Sequence, residues 1–328
     1  MSAIPESRLL KKLRPAERAV DAQSLALFRL GEMCNNKCPM CSNSGRPEAF
    51  FIEEGPLLER VAFLASRGFA RVVLTGGEPT IHPSFWTVVD ALGRAGIAWD
   101  INTHGRSFAD PEFARRAKAE GLGRAIVSLH SHRIGPSMKI FGVSERGHHE
   151  TVGGIENLLA EGVWLMLNCV FSRENIDHIE EYVAFCIERF GTEYVLKLVF
   201  PSTTGKGGDW EAIHLTYAEA GPVARRARAL ARAAGLRVAF ESFPNCVLDA
   251  PRARNTGRSG FGETHYLDDI SGDRIYPIDH IESELSVYGP QCAGCQAVRR
   301  CGGVASTYAA RVGTDELTPF LAGPAPPR

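Results

Sequence analysis

The chain carries no surplus of charge of either sign. Its 37 Lys and Arg face 38 Asp and Glu, for a formal net charge of −1 across 328 residues. That balance excludes a strong polyanion binder, because no basic excess is left to meet nucleic-acid phosphates. Long apolar runs are missing as well. None approaches a membrane span, and the opening MSAIPESRLLKKLRPAERAV holds no uninterrupted apolar signal core. A soluble cytoplasmic protein is expected, with neither nucleic acid nor membrane as partner. An even number of cysteines is also absent. Nine thiols cannot form a fully paired intrachain disulfide framework, and a chain long enough to bury a real core needs no such staples in the cytosol.

What is present is alternation. After a basic lead-in over residues 1–23, short apolar runs read as strands: Ser24–Gly31, Arg71–Thr75, Ile97–Thr103, Arg124–Leu129, Val163–Phe171 and Tyr194–Phe200. Segments with helical spacing lie between and after them: Pro56–Arg67, Ser84–Ala95, Asp110–Glu120, Thr151–Glu161, Asn175–Arg189 and Thr216–Ala234. Near-continuous apolar strands imply a parallel sheet covered by helices. Six βα units with right-handed crossovers give an α/β fold, a partial (β/α)6 barrel of the TIM type spanning 24–240, with its chemistry at the C-terminal strand ends. The pattern changes over 241–321. Ala250–Gly262 reads as an Arg- and Gly-rich loop, and Tyr266–Ile270 and Arg274–Ile278 flank Ser-Gly-Asp as a β-hairpin. The tail 322–328 is expected to be disordered.

Six of the nine cysteines form two tight groups. Cys34, Cys38 and Cys41 follow the first strand directly, at a spacing that wraps three thiolates around one inorganic centre. Structural zinc usually takes four protein ligands, whereas a [4Fe–4S] cube held by three keeps one iron open. On the cysteines alone, zinc and iron–sulfur both stand. The second strand then ends in Thr75-Gly76-Gly77-Glu78-Pro79, where paired glycines permit close backbone approach and Glu78 offers a carboxylate to an ammonium group.

Cys-x3-Cys-x2-Cys followed one βα unit later by Gly-Gly-Glu-Pro resembles the radical S-adenosylmethionine (radical SAM) superfamily. The resemblance implies that Cys34, Cys38 and Cys41 ligate a [4Fe–4S] cluster whose open iron chelates SAM. It implies that Gly76, Gly77 and Glu78, next to Pro79, hold the methionyl amine, and that Met40 packs near the adenine. Asn102 and Thr103 sit where many members carry Thr-Asn-Gly, and His104 departs from that pattern. Ser128 matches a serine often near SAM; Asn168, Arg173 and Asn175 lie where polar groups meet its ribose or carboxylate. His130 is the candidate acid or base, since imidazole titrates near neutrality, against the plainer reading that it only lines the barrel. His148-His149 is expected to open a helix in solvent, and Cys169 and Cys186 to be core thiols.

Beyond the barrel, Cys292-x2-Cys295-x5-Cys301 after a hairpin resembles the auxiliary-cluster extensions called SPASM and twitch domains. Four cysteines from Cys246 onward suit one auxiliary [4Fe–4S] cluster, with Cys246 as a fourth ligand, better than the seven-cysteine pattern of two clusters. A structural zinc ribbon is the alternative. The activity implied is reductive cleavage of SAM by an electron from a flavodoxin- or ferredoxin-type donor, giving a 5′-deoxyadenosyl radical that abstracts hydrogen from substrate. A ribosomally made peptide is the expected substrate, although residues 1–23 are short for a leader-binding domain. A nucleotide, sugar or other small metabolite is the alternative. The molybdopterin-type nucleotide cyclase is disfavoured by cysteine spacing and a missing C-terminal Gly-Gly, and a non-catalytic iron–sulfur or zinc protein is the remaining rival.

Overall fold

Strands and helices alternate from the first described residue. The computed structural model describes residues 24–41, 50–201, 211–252, 264–267, 275–277 and 285–321. The order is β1 (Leu25–Arg29), α1 (Glu54–Ser66), β2 (Arg71–Thr75), α2 (Phe85–Arg94), β3 (Ala98–Thr103), α3 (Pro111–Ala119) and β4 (Leu122–Ser128). Then come α4 (Ile134–Phe141), α5 (Glu145–Ala160), β5 (Trp164–Val170), α6 (Ile179–Phe190), β6 (Val195–Val199), α7 (Tyr217–Ala233) and β7 (Arg237–Glu241). β1 to β7 pair in chain order and all in parallel, so each crossover carries a helix back over the same sheet face. The sheet is an open, partial TIM-type barrel.

Three differences from the sequence reading have local causes. β7 adds a seventh parallel strand. Its residues are exposed or only half-buried, so Arg237–Glu241 lacks the apolar run that marks a central strand. The helix α4 was not expected, because Gly135-Pro136 reads as a turn; here the pair falls in its first turn, where proline is tolerated. The hairpin does not stand apart. β8 (Thr264–Leu267) pairs in parallel with β1, and β9 (Ile275–Pro277) pairs antiparallel with β8, extending the barrel sheet beyond its first strand. Its Ser-Gly-Asp turn, the lead-in 1–23, residues 253–262 of the Arg- and Gly-rich loop and the tail 322–328 lie outside the described residues.

Alternation along each strand separates two environments. One face, including Phe28, Leu74, Ile101, Val127, Leu167 and Leu198, is fully buried under the helices. Each such side chain contributes roughly 1.5–3 kcal/mol of burial. The other face lines the barrel. At its lower end Asp100 sits between Arg71 (Nη1 to Oδ1, 2.9 Å) and Arg124 (Nε to Oδ2, 2.7 Å), so both carboxylate oxygens are matched and that end is closed. At the upper end the same face presents Thr75, Asn102, Ser128, Asn168 and Lys197. Two carboxamide oxygens there, Asn102 Oδ1 and Asn168 Oδ1, are buried without a hydrogen-bond partner. Unsatisfied polarity thus gathers at the C-terminal strand ends.

The C-terminal segment shares the barrel's core. β10 (Ser286–Val287) and β11 (Val304–Ala305) form a short antiparallel pair, followed by α8 (Ser306–Val312). Tyr308 packs on Phe200 and Tyr217, and Glu316 Oε2 accepts the Ala218 N–H (2.7 Å) at the N-terminus of α7. A carboxylate there satisfies an otherwise free helix donor and meets the positive end of the helix dipole. Among the described residues no helix is long and apolar enough to cross a membrane.

Candidate functional site

The first cysteine group lies in the turn leaving β1. Burial pushes the Cys34 thiol up to about 11; the Asn36 N–H on its sulfur (3.4 Å) opposes the rise, and nearby Glu78 and Cys41 reinforce it. Cys38 Sγ reaches the Phe141 carbonyl at 3.6 Å, and the Cys41 N–H donates to the Cys38 carbonyl at 3.2 Å. Met40 is buried against Ile140 and Ile213, with Cys38 and Val170 at the edge of that cluster. An apolar wall therefore stands beside the thiols. Among the described residues no three His, Cys, Asp or Glu side chains converge on a point that could hold one ion. A four-iron cube places each thiolate on a separate iron, and three thiols spread along one turn fit it.

The Gly-Gly-Glu-Pro turn packs against the cysteine turn. A Cβ on Gly76 (φ +122°) would overlap the Gly31 carbonyl oxygen, and one on Gly77 would overlap that of Met33. The Gly77 N–H donates to Gly31 and the Glu78 N–H to Met33, both at 2.9 Å. The glycines thus let the β2 turn press against the cysteine turn, backbone on backbone, so the space they free is filled by protein. Glu78 is buried, and protein donors surround its carboxylate. Oε1 accepts from Thr80 N (3.2 Å), Thr80 Oγ1 (2.6 Å) and Thr103 Oγ1 (2.8 Å), and Oε2 accepts from His104 N (2.9 Å). Only Oε2 keeps a lone pair for a ligand. Pro79 opens the 3-10 turn that carries Thr80. Thr103, expected beside SAM, donates to Glu78.

Asn102, Ser128 and Asn168 come together on the barrel's inner face, as their strand parity requires; Asn102 Nδ2 also reaches Thr75 Oγ1 at 3.4 Å. Arg173 does not join them. Its half-exposed guanidinium pairs with Glu219 at 3.1 Å. Asn175 is spent on loop closure, donating to the carbonyls of His130 (2.7 Å) and Val170 (2.8 Å). His130 is buried against Phe141, ring centroids 4.7 Å apart, and its Nδ1 accepts the Val170 N–H at 3.2 Å. Burial lowers its pKa to about 3, which favours the neutral ring near pH 7. His148 is likewise buried, on Ser137 Oγ at 2.9 Å, while His149 is exposed. Cys169 and Cys186 are fully buried core thiols.

Two lumen residues escaped the sequence reading. Lys197 on β6 and Glu241 on β7 form an ion pair at 2.9 Å on the same inner face as Asn168, whose register partner is Lys197. The available signal was a lone charge inside the apolar run Tyr194–Phe200.

The second cysteine group is assembled by tertiary contact. Cys246, Cys292, Cys295 and Cys301 line one cavity, with Tyr288, Val298 and Leu317 among its walls and about 370 Å³ of atom-free space, part of it open to solvent. Cys246 arrives from the barrel side after β7, and the other three from the C-terminal segment. Burial pushes up the thiols of Cys246 and Cys292, and neighbouring cysteines reinforce both shifts. Four soft ligands around one apolar-walled void suit a cube bound by four thiolates.

Residues 28–186 match the family model of the radical SAM superfamily. Mycofactocin maturase MftC of Mycobacterium ulcerans is 27% identical over 221 residues, covering 66% of this chain and 57% of that protein. A probable GTP 3′,8-cyclase of Sulfurisphaera tokodaii is 29% identical over 181 residues, 54% of this chain and 56% of its own length. The chain thus spans little more than half the length of the curated relatives it matches. Among solved structures, Streptococcus suis SuiB bound to precursor peptide SuiA has a TM-score of 0.64 at 14% identity, covering 96% of this chain and 77% of that one. Native anSMEcpe with bound AdoMet has a TM-score of 0.63 at 15% identity, over 91% and 92%. At these identities the structures establish the fold. The matched segment holds the three-cysteine turn, the Gly-Gly-Glu-Pro turn and the inner-face polar residues of β3 to β5, so the residues that carry the resemblance lie within the stretch that matches the radical SAM superfamily.

Proposed function

We propose that this chain is a radical SAM enzyme that modifies a ribosomally made peptide with the help of one auxiliary [4Fe–4S] cluster. Cys34, Cys38 and Cys41 would hold the SAM-binding cluster. Gly76, Gly77 and Glu78 would face the methionyl end of SAM, with Asn102, Ser128 and Asn168 offering the inner-face polar atoms. When bound, the cluster and SAM together supply one-electron cleavage of the C5′–S bond and a radical able to take hydrogen from an unactivated carbon. This chain's residues would orient and shield. Met40, Ile140 and Ile213 keep water from the thiol turn, and Lys197 with Glu241 presents fixed charge across the lumen. We divide the chain into a partial barrel over 24–240 and an auxiliary-cluster segment over 241–321. We place it in the cytoplasm with a flavodoxin- or ferredoxin-type donor.

The observation that carries this reading is the meeting of Cys246 with Cys292, Cys295 and Cys301 at one cavity, which gives the barrel a second thiolate site. A peptide substrate is supported by the relationship to a mycofactocin maturase and by the likeness to SuiB with its precursor peptide over nearly the whole chain. The test is anaerobic reconstitution, reduction and assay for 5′-deoxyadenosine. Formation by the wild-type chain and loss in Cys38→Ala support the enzyme; no cleavage in either supports a binding protein. Deuterium passed into 5′-deoxyadenosine from labelled GTP, and not from labelled peptides, would replace the peptide reading by a nucleotide one.

A further inference from the structure

His104 breaks the family pattern at its position, and the structure shows what it reaches. Its Nδ1 accepts the Arg106 N–H at 3.2 Å, so Nε2 carries the proton and donates to Asn35 Oδ1 at 2.6 Å. The same Nε2 lies 3.3 Å from Glu78 Oε2, the oxygen that also accepts the His104 N–H. Asn35 follows Cys34 directly. Arg106 grips the same turn from its other side, Nη1 donating to the Asn35 carbonyl (3.1 Å) and to Asn36 Oδ1 (3.0 Å). Its Nε is held by Glu150 on α5 at 2.7 Å, and Thr151 Oγ1 anchors the His104 carbonyl at 2.9 Å. Asn36 in turn aims its N–H at Cys34 Sγ. The turn after β3 therefore braces the cysteine turn and the Glu78 turn together from α5.

We infer that His104 and Arg106 are positioning residues for SAM binding. They hold Cys34 and the open lone pair of Glu78 Oε2 at a constant separation, so that the amine and the open iron are met at once. The inference rests on the radical SAM reading above. Groups that orient ligating side chains, though they touch no metal, change affinity by roughly 10–100-fold when removed.

The experiment uses the full chain, reconstituted anaerobically, with two readouts: Kd for labelled SAM, and the change SAM makes in the EPR spectrum of the reduced cluster. His104→Leu is expected to raise Kd about ten-fold or more and to alter the SAM-induced EPR change. His104→Gln, which keeps a donor near Nε2, is expected to restore both. Should His104→Leu fail to fold, Arg106→Met, at a side chain that keeps some solvent exposure, is read in the same way. Wild-type Kd and EPR change in the folded variants overturn the inference, as does a loss that His104→Gln leaves in place while Tm falls in parallel. A wild-type chain that holds no [4Fe–4S] cluster and binds no SAM overturns the functional reading itself, an outcome distinct from either.

Discussion

Lys197 Nζ on β6 lies 2.9 Å from Glu241 Oε2 on β7, inside the barrel and within the ring of polar residues that crowns it. An ion pair so placed is weak support for stability, because partial desolvation offsets its Coulombic gain. Its removal in halves is another matter. Lys197→Met leaves the carboxylate half-buried and alone, and we expect a loss of about 1–2 kcal/mol, below the fully buried range because both groups keep some solvent. Lys197→Met combined with Glu241→Leu should recover most of it in denaturant melts. Equal stability of the single variant and wild type would show that the pair is solvated. SAM affinity should be unchanged in the double variant if the pair faces substrate.

Gly77→Ala places a methyl on the Met33 carbonyl. Neither backbone can yield without breaking the Gly77–Gly31 and Glu78–Met33 hydrogen bonds. A loss of more than about 3 kcal/mol is expected, together with loss of iron from the Cys34 turn. Gly153→Ala is the contrast. It lies in the interior of α5 with open space at its Cβ, and should gain about 0.5–1 kcal/mol. Thermal melts and iron assays of the two variants check the pair; a benign Gly77→Ala would mean that the turns are not in contact.

His130 makes stability depend on pH. Its folded pKa of about 3 lies below the unfolded value of 6.5, so its contribution is whole above pH 6.5 and is lost as pH falls toward 3. At a slope of about 1.4 kcal/mol per pH unit, the wild-type chain should lose about 2 kcal/mol from this group between pH 6.5 and 5. His130→Asn, which keeps an acceptor for the Val170 N–H, should flatten that part of the profile. Parallel curves for the two proteins would contradict the assignment of a neutral ring.

Cys246 separates a four-thiolate auxiliary site from a three-thiolate one. Wild-type chain with two cubes should hold about eight irons. Cys246→Ala should lose about half of these or leave a cluster with altered EPR, while the core variant Cys169→Ala should keep the full count. Iron analysis and EPR of the reduced samples decide it, and an unchanged spectrum in Cys246→Ala would leave that thiol outside the site.

Much of this protein is legible without coordinates. The alternating apolar runs determine a helix-covered parallel sheet, since burying both faces of each strand leaves few other arrangements. The local spacing of Cys34, Cys38 and Cys41 and the Gly-Gly-Glu-Pro turn determine the family, because those groups act through neighbours in the chain. β7 and α4 were missed where a half-exposed strand and a Gly-Pro pair hide the usual signals. Only the tertiary structure decided what depends on contact between distant segments. It brought Cys246 to the cavity of Cys292, Cys295 and Cys301, and it spent the freedom of Gly76 and Gly77 on backbone packing. It buried His130 beyond titration near neutrality, and it joined His104 to Asn35. Periodicity reports which way a side chain faces; burial, pairing and reach belong to whatever the rest of the fold sets against it.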